Sequence, residues 1–249
     1  MLNSIAHAAV LGQAARMDIP WLLDEPAHAG AEHLDPAFVA GYDRKQGWPD
    51  PATDIAVFQA HGLDAASTIV DLAAGTGQFA LAAARVFGRV VAVDVSLAMV
   101  TYLRDRAAGH TGSRPDIVQA GFLGYQHDGP PADGVYTRNG LHQLPDFWKV
   151  LALDRMAGIL RPGGVLRVRD LIYDFPARQA TEVFAGWLAN AAHDPAAGYT
   201  ASDYAEHIRG EHSTFRWLFE PMLAATGFEI VDVEYDRQLY GTYTCLKKS

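Results

Sequence analysis

Apolar positions in this chain gather in short β-branched runs, and these alternate with stretches of helical period. The runs cover residues 67–70, 90–93, 117–120, 132–137 and 165–170. Helices are expected over 78–86 and from the Ser96 cap to about 107. Another starts at Asp146 as N-cap, where Phe147, Val150, Leu151, Leu153, Met156 and Ile159 recur on one face. It stops at Arg161-Pro162-Gly163-Gly164. Strands alternating with helices predict an α/β protein with a parallel sheet. The last two runs, 229–235 and 239–246, are separated only by Asp236-Arg237-Gln238, too short for a parallel crossover, so they form an antiparallel hairpin.

Two regions break the alternation. Before residue 60 the pattern is helical: 4–17, then helices opened by Asp35-Pro36 over about 36–43 and by Asp50-Pro51 over about 51–61, the latter stopped by Gly62. From 173 to 211 Pro176 opens a helix to about 192, Gly198 breaks it and Ser202 opens another, with Phe184, Trp187, Tyr199 and Tyr204 along the way. A helix over 214–225, weakened at Pro221, restores the alternation. The expected organisation is a helical N-terminal cap (1–60), a sheet domain (61–172 with 213–249) and a helical lid inserted at 173–212.

The stretch from 67 to 94 carries the clearest chemistry. A strand ends on Asp71, a small-residue turn Ala73-Ala74-Gly75-Thr76-Gly77 follows, then an Ala-rich helix, then a strand ending on Asp94. That is the layout of a nucleotide-binding βαβ unit. Gly75 and Gly77 can take positive φ and admit a ligand close to the backbone. The free N–H groups of the next helical turn face the same ligand. A carboxylate at Asp94 is placed to accept both hydroxyls of a ribose.

Composition narrows the partners. With 20 Lys and Arg against 29 Asp and Glu, the net charge is −9, which argues against nucleic acid, where affinity rests on neutralising phosphates. Cys245 is the single cysteine and cannot close an intrachain disulfide, as in a reducing compartment. No Lys or Arg precedes Arg16 and no apolar run has membrane-spanning length, so a cytoplasmic protein without membrane contact is expected. The apolar helix at 4–17 could serve as the arm of a homodimer. With no His-x-x-x-His and no carboxylate cluster in the sequence, no metal is expected.

The glycine turn, Asp94, the turn Leu160-Arg161-Pro162-Gly163-Gly164 and the closing hairpin together resemble the class I S-adenosylmethionine-dependent methyltransferases, over roughly residues 40 to 248. The resemblance implies a Rossmann-like seven-stranded sheet with an antiparallel last strand, S-adenosyl-L-methionine as cofactor, and methyl transfer to a small-molecule acceptor at O, N or C. It implies a cofactor site built from Tyr42, Asp71, Ala73, Gly75, Thr76, Gly77, Asp94, Val95, Phe122 and Asn139. Asp71 would lie near the cofactor's amino group, Gly75 and Gly77 under its methionine portion and Asn139 near its sulfonium. Many members end the third strand on an acid that accepts from the adenine amino group; this chain has Gly121-Phe122 there, leaving Phe122 or a backbone group for that contact.

For a hydroxyl or ammonium acceptor a base is needed. His142, just past the fourth strand, is the leading candidate. Asp170, at the carboxyl end of the fifth strand, is the second, as base or substrate orienter. Tyr173, His212 and Trp217 are weaker candidates, and His110 and His127 read as solvated. The Asn/Asp-Pro-Pro-Tyr motif of nucleic-acid amino-methyltransferases, the double-acid loop of arginine methyltransferases and the Asp-Asn pair of catechol-type enzymes are missing from the sequence. Two rivals remain. Gly75-Thr76-Gly77-Gln78-Phe79-Ala80 also satisfies the fingerprint of NAD(P)-dependent oxidoreductases, although no Tyr-x-x-x-Lys pair accompanies it. A protein that binds S-adenosylmethionine without transferring its methyl group is the other.

Overall fold

A computed structural model describes residues 20–109 and 112–249. The helix expected at 4–17, with its dimer arm, and His110 lie outside these residues. The N-terminal segment is more broken than its pattern predicts. Two 3-10 turns, Glu25–His28 and Ala31–Leu34, precede short helices α1 (Pro36–Val39) and α2 (Tyr42–Lys45). Gly41 sits between those two helices, where one continuous helix over 36–43 was expected. Asp35 caps the first by accepting from the Ala37 amide at 2.9 Å, and α3 (Ala52–Ala60) follows.

The sheet domain then runs β1 (Thr68–Leu72), α4 (Gln78–Ala83), β2 (Arg89–Asp94), α5 (Leu97–Ala108), β3 (Asp116–Gln119), β4 (Ala132–Arg138), α6 (Asp146–Ile159) and β5 (Leu160–Asp170). Ser96 caps α5 through the Met99 amide, as its sequence position predicts. At α6 the cap is Pro145; Asp146 is the first helical residue and takes Lys149 Nζ at 2.9 Å instead. β5 starts earlier than expected because Leu160 already pairs with Ala132, and the register shift before Gly134 absorbs the Pro-Gly-Gly turn.

The inserted region holds β6 (Ile172–Tyr173), α7 (Ala180–Ala189), α8 (Ala201–Gly210) and β7 (Thr214–Phe215). β6 and β7 pair in parallel, so the insertion is tied at its base by a two-stranded ribbon and the following helix, α9, begins at Arg216 rather than 214. Thr200 caps α8, in a reciprocal box with Asp203, two residues before the Ser202 start that the sequence suggested. After α9 (Arg216–Ala225) come β8 (Phe228–Asp236) and β9 (Tyr240–Lys247). Arg237 and Gln238 both take positive φ in the three-residue loop that joins them.

The seven main strands lie in the order β3-β2-β1-β4-β5-β9-β8, with only the β9 pairings antiparallel. The expected class I methyltransferase architecture, a seven-stranded sheet with an antiparallel end, is thus present. One core lies between the sheet and α6 and α9, around Leu153, Met156, Phe219 and Tyr243. The other lies beneath α3, α4 and α5, around Phe58, Phe79 and Leu103. Strands covered on both faces read as nearly unbroken apolar runs, and each fully buried large side chain contributes roughly 1.5–3 kcal/mol. Because the chain moves outward from β1 to β2 and β3 but returns to β4 on the other side, a crevice opens at the carboxyl ends of β1 and β4.

Candidate active site

Ala73 leaves β1 at φ +60° and Gly75 turns at φ +55°, which brings the Gly75 amide onto Asp94 Oδ2 at 2.8 Å. The Ser96 amide donates to Asp94 Oδ1, also at 2.8 Å. Each carboxylate oxygen therefore keeps a lone pair for a ligand. Burial raises the Asp94 pKa despite these two amides. Asp71, at the end of β1, is more deeply enclosed. Burial and then the neighbouring Asp94 hold its pKa well above the usual carboxylate range, and its Oδ2 is buried without a hydrogen-bond partner. A buried carboxylate oxygen left open in this way calls for a cationic donor.

Two small cavities flank this turn. The first is lined by Ala73, Gly75, Asp94, Val95 and Phe122, the second by Asp71, Ala73, Gly75 and Thr76; Tyr42 and Asn139 line both. Nine of the ten expected cofactor residues are brought together in this way. The tenth, Gly77, faces elsewhere. It takes φ +83°, and a β-carbon there would collide with Leu103 of α5, so its packing against that helix is what requires glycine. The Thr76 hydroxyl is spent on Asp43, which also holds Arg106 at 2.8 Å.

Glu25 escaped sequence reasoning. Its carboxylate lines the first cavity and accepts from the Leu123 amide at 3.0 Å. Burial pushes its pKa up to about 7, against opposing backbone hydrogen bonds. A β-carbon added at Gly121 would run into that carboxylate. A carboxylate from the N-terminal segment thus stands against Gly121, just past β3, and the only sequence signal was the conspicuous glycine at 121.

Beyond Tyr42, Arg138 and Asn139, which line all three cavities, a third cavity of about 600 Å³ opens beneath the lid. His142, Trp187, Tyr199, Tyr204, His207, Glu211 and His212 line it. Phe184 does not; it packs in the lid core with Tyr173, Phe175 and Trp187. Gln46 Nε2 bridges the cap and the lid over this space, 3.1 Å from Tyr42 Oη and 3.0 Å from Tyr199 Oη.

Asp170 stands behind the cavity wall rather than in it. It accepts from the amides of Gly140, Leu141 and Leu171 at 2.9, 2.7 and 2.7 Å, and its Oδ1 lies 2.6 Å from His142 Nδ1. All its capacity is used within the protein, so it positions His142 and the β4 loop and has no reach to a substrate. For His142, burial disfavours the charged ring, but Asp170 and then Glu211 outweigh this and raise its pKa. The Asp170 pKa is lowered: burial would raise it, and His142 with the backbone amides prevails. Among the weaker candidates, Trp217 is exposed and stacks on Phe215, and Tyr173 is buried in the lid core. His127 braces its loop between Tyr125 Oη and the Pro130 carbonyl, each at 3.0 Å, rather than being merely solvated.

Comparison with known proteins agrees with this geometry. Residues 69–164 match a family described as a methyltransferase domain. No curated protein sequence matches the chain. Among solved structures, the magnesium protoporphyrin IX methyltransferase of Synechocystis, with bound S-adenosylmethionine, is 14% identical. It superposes with a TM-score of 0.63 over 92% of this chain and 99% of its own. A S-adenosylmethionine-dependent methyltransferase from Aquifex aeolicus is 15% identical, at TM-score 0.59 over 86% and 98% of the two chains. The cyclase SpnF is 17% identical, at TM-score 0.56 over 78% and 80%. Residues 69–164 thus match a methyltransferase domain, and the chain has the class I methyltransferase fold.

Proposed function

We propose that this protein is an enzyme that transfers the methyl group of S-adenosylmethionine to a small-molecule acceptor held under the lid. The observation that carries this reading is the meeting of the three cavities at Tyr42, Arg138 and Asn139. On one side stand an open buried carboxylate, Asp71, and a ribose-type acceptor, Asp94. On the other stands His142, held by Asp170.

When bound, the cofactor supplies an electrophilic methyl carbon whose bond to sulfur breaks, with the electron pair returning to sulfur, as the acceptor's lone pair forms the new bond. The protein's own residues do the rest. Asp71 would receive the cationic amino group, Asp94 the ribose hydroxyls and Glu25 the adenine amino group, while Phe122 walls the purine side. Gly75 permits backbone approach. His142 Nε2 would take the acceptor's proton, its ring fixed by Asp170 through Nδ1. The helices over the cavity would exclude water, and alignment of acceptor and methyl can supply roughly 7–11 kcal/mol.

A cavity of about 600 Å³ lined by Trp187, Tyr199 and Tyr204 suits a flat or partly apolar small molecule. The net charge of −9 disfavours nucleic acid as acceptor. Among the described residues no helix is long and apolar enough to cross a membrane, and the single, buried Cys245 fits a cytoplasmic setting. A crystal structure with S-adenosylhomocysteine tests the reading. The sulfur is expected between Asn139 and Tyr42, facing the cavity under the lid. A sulfur turned away from that cavity would overturn it.

A further inference from the structure

Three groups in the wall of the large cavity lie close together. His142 Nε2 lies 3.2 Å from Glu211 Oε2, and His207 Nδ1 also contacts that oxygen. The donor atoms all lie within 4.8 Å of one another. Glu211 Oε2 is buried against these two ring nitrogens. We infer that His142, His207 and Glu211 form a binding site for a divalent transition-metal ion, with one coordination position open to the acceptor cavity.

The surroundings of the three groups support an ion in particular. In metal sites the ring nitrogen away from the ion is normally held by a carboxylate, carbonyl or other outer partner, which fixes the tautomer. Both imidazoles meet that condition. His142 Nδ1 is held by Asp170 at 2.6 Å and His207 Nε2 by Ser213 Oγ at 2.9 Å. With its proton committed to Asp170, His142 Nε2 presents a lone pair, on which the Gln143 amide now donates at 3.2 Å. That nitrogen also faces the Glu211 carboxylate at 3.2 Å, a gap that a proton fills in the metal-free protein and a metal ion would fill in the loaded one. Bonds of about 2.0–2.2 Å to a four-coordinate ion place donors roughly 3.4 Å apart, close to the His142–Glu211 separation. Loading the site would displace the Gln143 amide by a small rotation.

Two histidines, one carboxylate and an open position form the donor set of catalytic Zn²⁺ and of non-haem Fe²⁺. The sequence expectation of no metal looked for His-x-x-x-His. Here the last turn of α8 and its C-cap offer His207 and Glu211 four residues apart, and His142 joins them only through the fold. The role of the ion rests on the proposed methyl transfer; its site does not. A coordinated acceptor hydroxyl would lose its proton to solvent because the cation stabilises the oxyanion, and that oxygen would then attack the methyl carbon. In the loaded protein His142 is a ligand, and the proton-accepting role of its Nε2 belongs to the metal-free protein.

The test is calorimetry of chelator-stripped full-length protein with Zn²⁺, and anaerobically with Fe²⁺, alongside Mg²⁺ as a control. Binding of S-adenosylhomocysteine is measured on the same sample, so that failure of the metal site and failure of the methyltransferase reading are told apart. One equivalent of Zn²⁺ or Fe²⁺ is expected to bind, and Mg²⁺ not at all. His207→Ala and Glu211→Gln should each weaken it at least tenfold. Asp170→Asn should weaken it 10–100-fold, the usual cost of losing an outer partner. Co²⁺ in the wild type should give visible absorption that His207→Ala abolishes, with circular dichroism confirming that the variant is folded. No stoichiometric binding, or binding that survives both His207→Ala and Glu211→Gln, would leave a shared proton as the only occupant and overturn the proposal.

Discussion

Asp170 Oδ1 and His142 Nδ1 lie 2.6 Å apart, inside the protein, with three backbone amides fixing the carboxylate from behind. Of the pair, only the histidine lines the large cavity. His142→Ala should therefore slow methyl transfer at least tenfold, within the range of about 10²–10⁴ for proton-transfer groups. Its affinity for S-adenosylhomocysteine should stay close to wild type, since His142 lines neither of the two smaller cavities proposed to hold the cofactor. Unchanged turnover would remove His142 from the chemistry.

The same pair sets a pH dependence. Burial works against the charged ring, yet Asp170 and Glu211 raise the His142 pKa above 6.5. The sign follows: the native state binds the extra proton, so this contribution to stability is complete below about pH 6.5 and is lost as pH rises through the folded value. In chelator-stripped protein, the His142 ring resonances should titrate above pH 6.5. Asp170→Asn should move that titration down, leaving burial less opposed. A titration unmoved by Asp170→Asn would contradict the coupling.

Glu25 allows a test by exchange. Glu25→Ala should weaken S-adenosylhomocysteine binding, and Gly121→Asp alone should weaken both fold and binding by crowding Glu25. The double variant, which returns the carboxylate to the third-strand position, should recover affinity. Its carboxyl has a folded pKa of about 7 against 4.5, so native protein binds the additional proton. Stability then falls as pH rises from about 4.5 to 7. Glu25→Gln should raise Tm at pH 8 and leave it nearly unchanged at pH 4. Failure of the double variant to outperform Gly121→Asp would count against the replacement.

How much of this was legible in the sequence depends on the distance over which each contact acts. The β1 turn, Asp94 and the closing hairpin are local patterns, and each appears where its residues predict. The missing acid after β3 was visible as Gly121, but the carboxylate that stands against it, Glu25, sits 96 residues away, joined only by folding. The same holds for His142 with His207 and Glu211, which come from the β4 loop and the lid. Gly77 read as a cofactor glycine because turn and packing glycines carry the same letter; only Leu103, on the next helix, separates the two roles.

Gly77→Ala makes that separation measurable. A methyl group forced against Leu103 at φ +83° should cost about 1–3 kcal/mol of stability, read as a lower Tm. The folded fraction should bind S-adenosylhomocysteine normally. Lost affinity at unchanged Tm would return Gly77 to the cofactor site.

Calorimetric titration with S-adenosylhomocysteine and with NADP⁺, on wild type and Asp94→Ala, tests the central claim most directly. One saturable site for S-adenosylhomocysteine is expected, no heat with NADP⁺, and a loss of about 1.5–3 kcal/mol in Asp94→Ala, the range for hydrogen bonds to a charged group. Heat with NADP⁺ and none with S-adenosylhomocysteine would contradict the account.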